Sequence, residues 1–148
     1  MFEKILVAVD LELEPARQVL RRARELNQES GEVWVIHAVE PQYVQYSIDP
    51  TFSGKLTRAM ELDALNAASG RVAQICSTFG IAEDHQLVML GRPADQIHKQ
   101  ATEKAVDTIV IGSHARRGLQ RLLGSTANSV LHDAPVNVMT IRLQEEDQ

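Results

Sequence analysis

The sequence predicts an α/β fold in which a parallel, doubly wound sheet lies between two layers of helices. Two observations carry this prediction. Five short apolar runs rich in β-branched residues are typical of strands buried on both faces, and they span residues 4–10, 32–40, 85–91, 107–113 and 135–143. Helical patterns separate these runs, and strands that alternate with helices indicate a three-layer α/β/α arrangement.

The first helix is the most clearly marked of the helices. Over residues 15–31, apolar side chains recur at three- and four-residue steps with arginine and glutamate between them; these are Ala16, Val19, Leu20, Ala23 and Leu26. Pro15 opens this helix and Gly31 closes it. With the strands on either side it forms a β-α-β unit, whose crossover is expected to be right-handed.

The segment after the second strand is predicted to be a long loop followed by a long helix. Residues 41–55 include two prolines and both tyrosines of the chain and show no clean period, which indicates a loop. The helix is predicted over residues 56–80, where Gly70 is a point at which it could kink and Gly80 ends it. Its predicted core contacts are Met60, Leu65, Val72 and Ile75.

Two shorter helices complete the predicted elements. One begins near Pro93 and turns Ile97 and Ala101 inward, and the other covers about residues 126–132. The two helices precede the fourth and fifth strands respectively, so the alternation of strand and helix continues to the end of the fold.

The composition indicates one ordinary globular domain. The chain has 148 residues, of which 44% are hydrophobic and 24% charged, and its formal net charge is −5. We expect a single domain over residues 1–143 and an acidic, frayed tail over residues 144–148. The acidic balance gives no support for a nucleic acid or a membrane as partner, and protein partners are not indicated.

The start of the chain and its single cysteine exclude further classes. The apolar stretch near the start covers only residues 5–9, shorter than a signal peptide needs and far short of the about 20 residues of a membrane span. We therefore expect a cytoplasmic protein. Cys76 excludes an intrachain disulfide and is predicted to be a small buried residue on a helix.

Ligands of doubly wound sheets bind at the carboxyl ends of the strands, where the strand order reverses. Four predicted strand ends qualify, namely Val9–Asp10, Ala38–Val39, Gly91–Arg92 and Gly112–Ser113. Asp10 is a candidate to accept hydrogen bonds from a ribose or a base edge, or else to cap the turn that follows it.

The segment from Gly112 to Thr126 is the candidate phosphate cradle. Gly112 permits close approach or unusual backbone dihedrals, and Gly124, Ser125 and Thr126 offer three successive amides and two hydroxyls at a predicted helix start. Arg116 adds positive charge, as do Arg117 and Arg121. The alternative is a plain strand–loop–helix connection in which Ser125 is the helix N-cap.

The sequence lacks the patterns of known catalytic and nucleotide-binding loops. There is no Gly-x-x-x-x-Gly-Lys-Ser/Thr, and no Gly-x-Gly-x-x-Gly follows the first strand. His37 lies inside an apolar strand and is predicted to be hydrogen-bonded within the sheet, whereas His114 lies in the candidate site. His85, His98 and His132 fall at the edges of elements, where we expect them to be solvated.

No residues combine into a catalytic or metal-binding constellation. Ser113, Ser125 and Thr126 are possible nucleophiles, but no Gly-x-Ser-x-Gly elbow surrounds them. No compact pair of carboxylates offers acid–base chemistry or a metal site. We therefore expect no catalytic residue, no metal ligand and at most a slow ATPase, in which His114 or Ser113 would orient water.

Several segments together resemble the universal stress proteins, specifically the single-domain UspA-like type. These are "KILVAVD" at the first strand, "VIHAVE" at the second, "LGRPADQI" at the third and the stretch "DTIVIGSHARRGLQRLLGSTANSVLHDAPVNVMTIR". The resemblance implies a sheet of order 3-2-1-4-5, of the adenine nucleotide alpha hydrolase-like type. It also implies a homodimer. In many members the dimer forms by pairing of the fifth strands, which here would be Val136–Leu143.

The family has ATP-binding and non-binding branches, and the binders resemble Gly-x-x-Gly-x9-Gly-Ser/Thr. Gly112 matches the first glycine, and Gly124–Ser125 match the last pair. Two features depart: Ala115 replaces the second glycine, and only eight residues, 116–123, separate it from Gly124. Because the last Gly-Ser pair is typically eroded in non-binders and is intact here, we favour ATP or a related adenine nucleotide. The alternative is a dimeric interaction or regulatory protein that binds no nucleotide.

The resemblance also implies roles for individual residues. Ala8, Val9 and Asp10 would line the adenine–ribose end, and Ala38 would contact adenine from the second strand. The phosphates would lie among residues of the fourth strand end and the last helix start, namely Gly112, Ser113, His114, Ala115, Gly124, Ser125 and Thr126. Arg116 is added on charge and position alone. Mg²⁺, if present, would be held mainly by the phosphates.

Overall fold

A computed structural model describes residues 2–28, 30–41, 50–113 and 124–144 of the chain. In these ranges the strands are β1 (Lys4–Ala8), β2 (Glu32–Val39), β3 (Gln86–Leu90), β4 (Thr108–Ser113) and β5 (Asn137–Arg142). The α-helices are α1 (Leu13–Leu26), α2 (Pro50–Cys76), α3 (Pro93–Glu103) and α4 (Ser125–Leu131). The predicted alternation of strands and helices is confirmed.

The five strands form one parallel sheet in the order β3-β2-β1-β4-β5, which confirms the predicted fold class and order. From β1 the chain moves outward to β2 and β3 and then returns to β4 on the other side of β1. The strand order therefore reverses between β1 and β4, and a ligand crevice is expected outside their carboxyl ends.

Each face of the sheet buries its own hydrophobic core, as expected for parallel strands. One core packs α1 and α2 on the sheet and includes Val7, Leu20 and Ile75. The other packs α3 and α4 on the opposite face and includes Leu6 and Ile97. Successive strand residues point to opposite faces, so the same short apolar runs serve both cores.

The start of α2 differs from the prediction. Residues 50–55 were expected in a loop but belong to the helix, whereas residues 42–49 lie outside the described ranges. The helical pattern is weak at this end because Gly54 is a poor helix former and Pro50 reads as a turn, although proline is tolerated in a first helical turn. At the other end α2 runs through Gly70 to Cys76, and Gly80, with φ of 64°, ends the following 3-10 turn.

The packing of α2 also corrects one predicted core residue. Val72 and Ile75 are fully buried and Leu65 is half-buried, but Met60 is 41% exposed. With 27 residues, α2 is about 40 Å long, whereas β2, the longest strand with eight residues, is about 26 Å long. The helix therefore extends past the sheet, and its first half has less of the sheet to pack on.

The last described residue is hydrogen-bonded to α1. Gln144, where the acidic tail was expected to begin, donates its backbone N–H to Gln18 Oε1 at 2.9 Å. In return, Gln18 Nε2 donates to the backbone carbonyl of Gln144 at 3.0 Å.

Among the helices of the described residues, none combines the length and apolar character that crossing a bilayer requires.

Candidate functional site

The sheet brings several predicted site residues to one edge. Ala8 of β1 is opposite Ile36 of β2 and Ile111 of β4, so the residues that follow these three lie side by side. They include Val9 and Asp10 after β1, Ala38 in β2, and Gly112 and Ser113 at the end of β4. The predicted adenine–ribose residues and the first part of the predicted cradle therefore share the carboxyl edge of the central strands.

The end of β1 is fixed by two hydrogen bonds to β2. Val9 donates its backbone N–H to the Ile36 carbonyl at 3.0 Å. His37 Nδ1 lies 2.8 Å from the Val9 carbonyl oxygen, and because a carbonyl only accepts, Nδ1 carries the proton. This confirms the interpretation of His37 as a hydrogen-bonded sheet residue. Its function is to hold the strand end beside the crevice.

Gly112 is required for packing rather than for an unusual backbone dihedral. A Cβ atom at this position would lie 2.9 Å from Val19 Cγ2 and 3.1 Å from Leu143 Cδ1. Val19 is almost fully buried between α1 and the sheet, so it has little room to move. The absence of a side chain at Gly112 thus allows Val19 of α1 and Leu143 to pack against the end of β4.

Ser113 contacts β5, and its predicted place among the phosphates stays a prediction. Its Oγ donates a long hydrogen bond of 3.4 Å to the Ile141 carbonyl, and its own carbonyl accepts from the Leu143 N–H at 3.4 Å. Both contacts connect the end of β4 to β5. In this structure the hydroxyl is engaged at the strand junction.

The second part of the predicted cradle lies at the start of α4. Gly124 is the N-cap residue, with φ −52° and ψ 153°, and its carbonyl accepts from the Asn128 N–H at 3.0 Å. The alternative interpretation of Ser125 as a plain N-cap is therefore wrong, because Ser125 is already helical. Ser125 and Thr126 are exposed, and neither hydroxyl is hydrogen-bonded to another described residue. Both hydroxyls are accessible to a ligand.

The middle of the predicted cradle lies outside the described residues. His114, Ala115 and Arg116 belong to the range 114–123, together with Arg117 and Arg121. Their predicted roles, and the effect of the two departures from the binding motif, stay predictions.

A cavity of about 690 Å³ lies between α3 and α4, and we call it the α3–α4 cavity. Ser125 and Thr126 form part of its wall, together with Glu40 after β2 and with Arg92 and Asp95 at the start of α3. Neither Asp10 nor Gly112 lines it. The cavity therefore adjoins the helix side of the predicted site rather than enclosing the whole of it.

Arg92 and Glu40 were not predicted as site residues from the sequence. The pair Gly91–Arg92 was identified as a strand end, but nothing local distinguished it from the others. What joins Arg92 to Ser125 is the packing of α3 against α4, a contact between helices more than twenty residues apart in the chain. Such a contact has no signature in either segment alone.

Three of the four described histidines, and the cysteine, are at least partly buried. His98 Nε2 donates to the Val130 carbonyl at 2.6 Å, and His85 stacks on Trp34 with ring centroids 3.9 Å apart, so the expectation that these two histidines are solvated is wrong. His132 is exposed as expected. Burial raises the pKa of the Cys76 thiol to about 11, which keeps it protonated at neutral pH.

Within the described ranges, no cluster of three or more His, Cys, Asp or Glu side chains is placed to hold a metal ion.

The model of the universal stress protein family matches residues 1–142. The chain belongs to the universal stress protein family. The match covers β1 to β5, so the family assignment applies to the entire sheet and to both parts of the site described above. The resemblance inferred from the sequence motifs is thereby confirmed.

Individual universal stress proteins show the same relationship. The chain is 36% identical over 144 residues to universal stress protein A homolog 2 of Coxiella burnetii, covering 97% of each chain. Its fold is similar to that of UspA from Lactobacillus plantarum, with a TM-score of 0.62, 23% identity and coverage of 95% and 98%. It is also similar to a universal stress protein solved in complex with cAMP, with a TM-score of 0.58, 18% identity and coverage of 97% and 98%.

The packing around Gly112 generates a stability prediction. Gly112→Ala should lower the free energy of unfolding by about 1–3 kcal/mol, because the added methyl group meets Val19 in a closed core. Gly70→Ala is the matched control, since a Cβ at Gly70 has no described neighbour within 4 Å, and it should raise stability by up to about 1 kcal/mol. Urea unfolding measures both, and a Gly112→Ala protein as stable as the wild type would contradict this account.

Proposed function

We propose that this universal stress protein is a cytoplasmic dimer that binds ATP or a related adenine nucleotide at the carboxyl edge of its sheet, with little or no catalysis. One observation carries the proposal. The in-register ends of β1, β2 and β4 converge at the point where the strand order reverses, and the exposed Ser125 and Thr126 begin the helix that follows β4.

The residues at this edge suit the parts of an adenine nucleotide. Ala8, Val9 and Ala38 are small and apolar, so a purine can approach the strand ends closely. The Asp10 carboxylate is exposed beside them and accepts hydrogen bonds of the kind that ribose hydroxyls donate. The hydroxyls and amides of Ser125 and Thr126 suit phosphate oxygens.

Two further considerations favour an adenine nucleotide. The solved universal stress protein in complex with cAMP shows that a protein of this fold accepts an adenine nucleotide. In the present chain Gly124 is the N-cap of α4, and an added Cβ there has no neighbour within 4 Å among the described residues. The space above Gly124 is therefore free of described protein atoms and open to a phosphate.

This free space makes Gly124 a direct test of the proposal. Labelled ATP should bind saturably to the wild type below about 1 mM, and Gly124→Val should weaken binding by about tenfold or more, because the isopropyl group occupies the phosphate position. The fold should tolerate the change, since φ of −52° suits valine and the added Cβ meets no atom of the part of the chain that the structure describes. Equilibrium dialysis with ATP, and with cAMP in parallel, measures the affinities.

Gly70→Val is the matched control for Gly124→Val. It makes the same substitution at an exposed glycine of α2, where an added Cβ likewise meets none of the described atoms within 4 Å, and it should leave ATP binding unchanged. If the wild type shows no saturable binding in this range, the alternative of a dimeric protein that binds no nucleotide would replace the proposal.

The dimer in this proposal is supported by the position of β5. In the sheet order β5 is the last strand and pairs with β4 through Asn137–Arg142, so one edge of β5 faces away from the sheet. An open strand edge promotes association with another strand, and pairing with the β5 of a second copy would cover it.

The dimer is tested by a charge placed in the middle of β5. Thr140→Lys should shift the protein from dimer to monomer in sedimentation velocity, because a lysine on the strand disfavours edge-to-edge pairing. Gln74→Lys adds the same charge on the exposed side of α2 and should leave the dimer intact. A wild type that sediments as a monomer, or a Thr140→Lys dimer as tight as the wild type, would contradict pairing through β5.

A further inference from the structure

The α3–α4 cavity contains a cation that the nucleotide site described above does not use. Arg92 directly follows Gly91 at the end of β3 and is the N-cap residue of α3. Its backbone position is well fixed, because the Gly91 N–H donates to the Val39 carbonyl at 2.9 Å and the Arg92 carbonyl accepts from the Gln96 N–H at 3.0 Å. The side chain therefore projects from a rigid point on the cavity wall.

The charges on this wall are unbalanced. Glu40, Asp95 and Asp133 line the cavity with carboxylates, and among its described lining residues Arg92 is the single arginine or lysine. The Arg92 side chain is exposed, and no described residue forms an ion pair or a side-chain hydrogen bond with it. A guanidinium in this state keeps all its donors for a ligand.

The same cavity reaches the proposed phosphate position. Ser125 and Thr126, which the proposed function places against the phosphates, line the cavity together with Arg92 and Asp95 at the start of α3. A phosphate chain that extends beyond Ser125 and Thr126 into the cavity adds negative charge near the Asp95 and Glu40 carboxylates. Each added phosphate is therefore disfavoured unless a cation meets it.

We propose that Arg92 binds the terminal phosphate groups of the nucleotide and makes the site prefer a nucleoside triphosphate to a monophosphate. This inference rests on the proposed function and deepens it, because it assigns the discrimination among phosphate chain lengths to one side chain. Arginine suits this role, since its planar fork donates two parallel hydrogen bonds to phosphate oxygens.

The experiment compares the affinities of ATP, ADP and AMP for four proteins at an ionic strength of about 0.1 M. These are the wild type and the variants Arg92→Gln, Asp95→Asn and Lys99→Gln. Arg92→Gln should weaken ATP by about tenfold and AMP by less than about twofold. Asp95→Asn should act in the opposite direction and tighten ATP more than AMP, because it removes a repelling carboxylate from the same helix turn.

Lys99→Gln is the charge-matched control. Lys99 is exposed on α3 but does not line the cavity. The substitution therefore removes one positive charge from the helix and leaves the proposed contact of Arg92 unchanged. It should change the ratio of ATP to AMP affinity by less than about twofold, since an exposed charge is screened over about 10 Å at ordinary ionic strength. Thermal melting of all variants should match the wild type.

The outcomes separate the two proposals. ATP binding that Arg92→Gln leaves unchanged, or that it weakens equally for ATP and AMP, overturns the role of Arg92 while the nucleotide site stands. A wild type that binds none of the three nucleotides overturns the proposed function and this inference with it. A larger loss for ATP than for AMP, confined to Arg92→Gln, is the expected result.

Discussion

The position of β1 between β2 and β4 is the constraint on which the rest of the structure depends. Ala8 pairs with both neighbours at once, and Val9 continues the contact through its hydrogen bond to Ile36. Because parallel neighbours need crossover connections, this central position places α1 and α3 on opposite faces of the sheet and makes the strand order reverse beside β1. The crevice outside the strand ends follows from that reversal.

Burial on both faces determines how the functional edge is built. The side chains of the central strands are mostly apolar and belong to one core or the other, so the strand interiors offer few polar groups to a ligand. The polar groups that can contact a ligand therefore lie mainly at the residues where each strand ends. Some polar side chains near the strand ends are hydrogen-bonded within the protein, since His37 donates to the Val9 carbonyl and Ser113 donates to the Ile141 carbonyl of β5. Asp10 and the hydroxyls of Ser125 and Thr126 are exposed.

The features that were predicted correctly from the sequence are those that a local pattern or a family motif indicates. The strands were located because continuous apolar, β-branched runs have few other interpretations, and the sheet order followed from the family resemblance. Met60 was placed wrongly because helical periodicity does not show where a helix of 27 residues outruns the sheet beneath it. Arg92 was missed because its relation to Ser125 exists only through the packing of α3 on α4. The role of Gly112 in admitting Val19 is likewise a contact between distant segments.

The central claim is that an adenine nucleotide lies at the carboxyl edge of the sheet, and backbone amide chemical shifts during an ATP titration test it most directly. The account predicts saturable shifts concentrated in Ala8–Asp10, at Ala38 and Gly112, and in Gly124–Thr126. Residues at the opposite edge, such as Trp34 and Lys104, should serve as unmoved references. Shifts that do not saturate, or that concentrate around Trp34 and Lys104, would contradict the account.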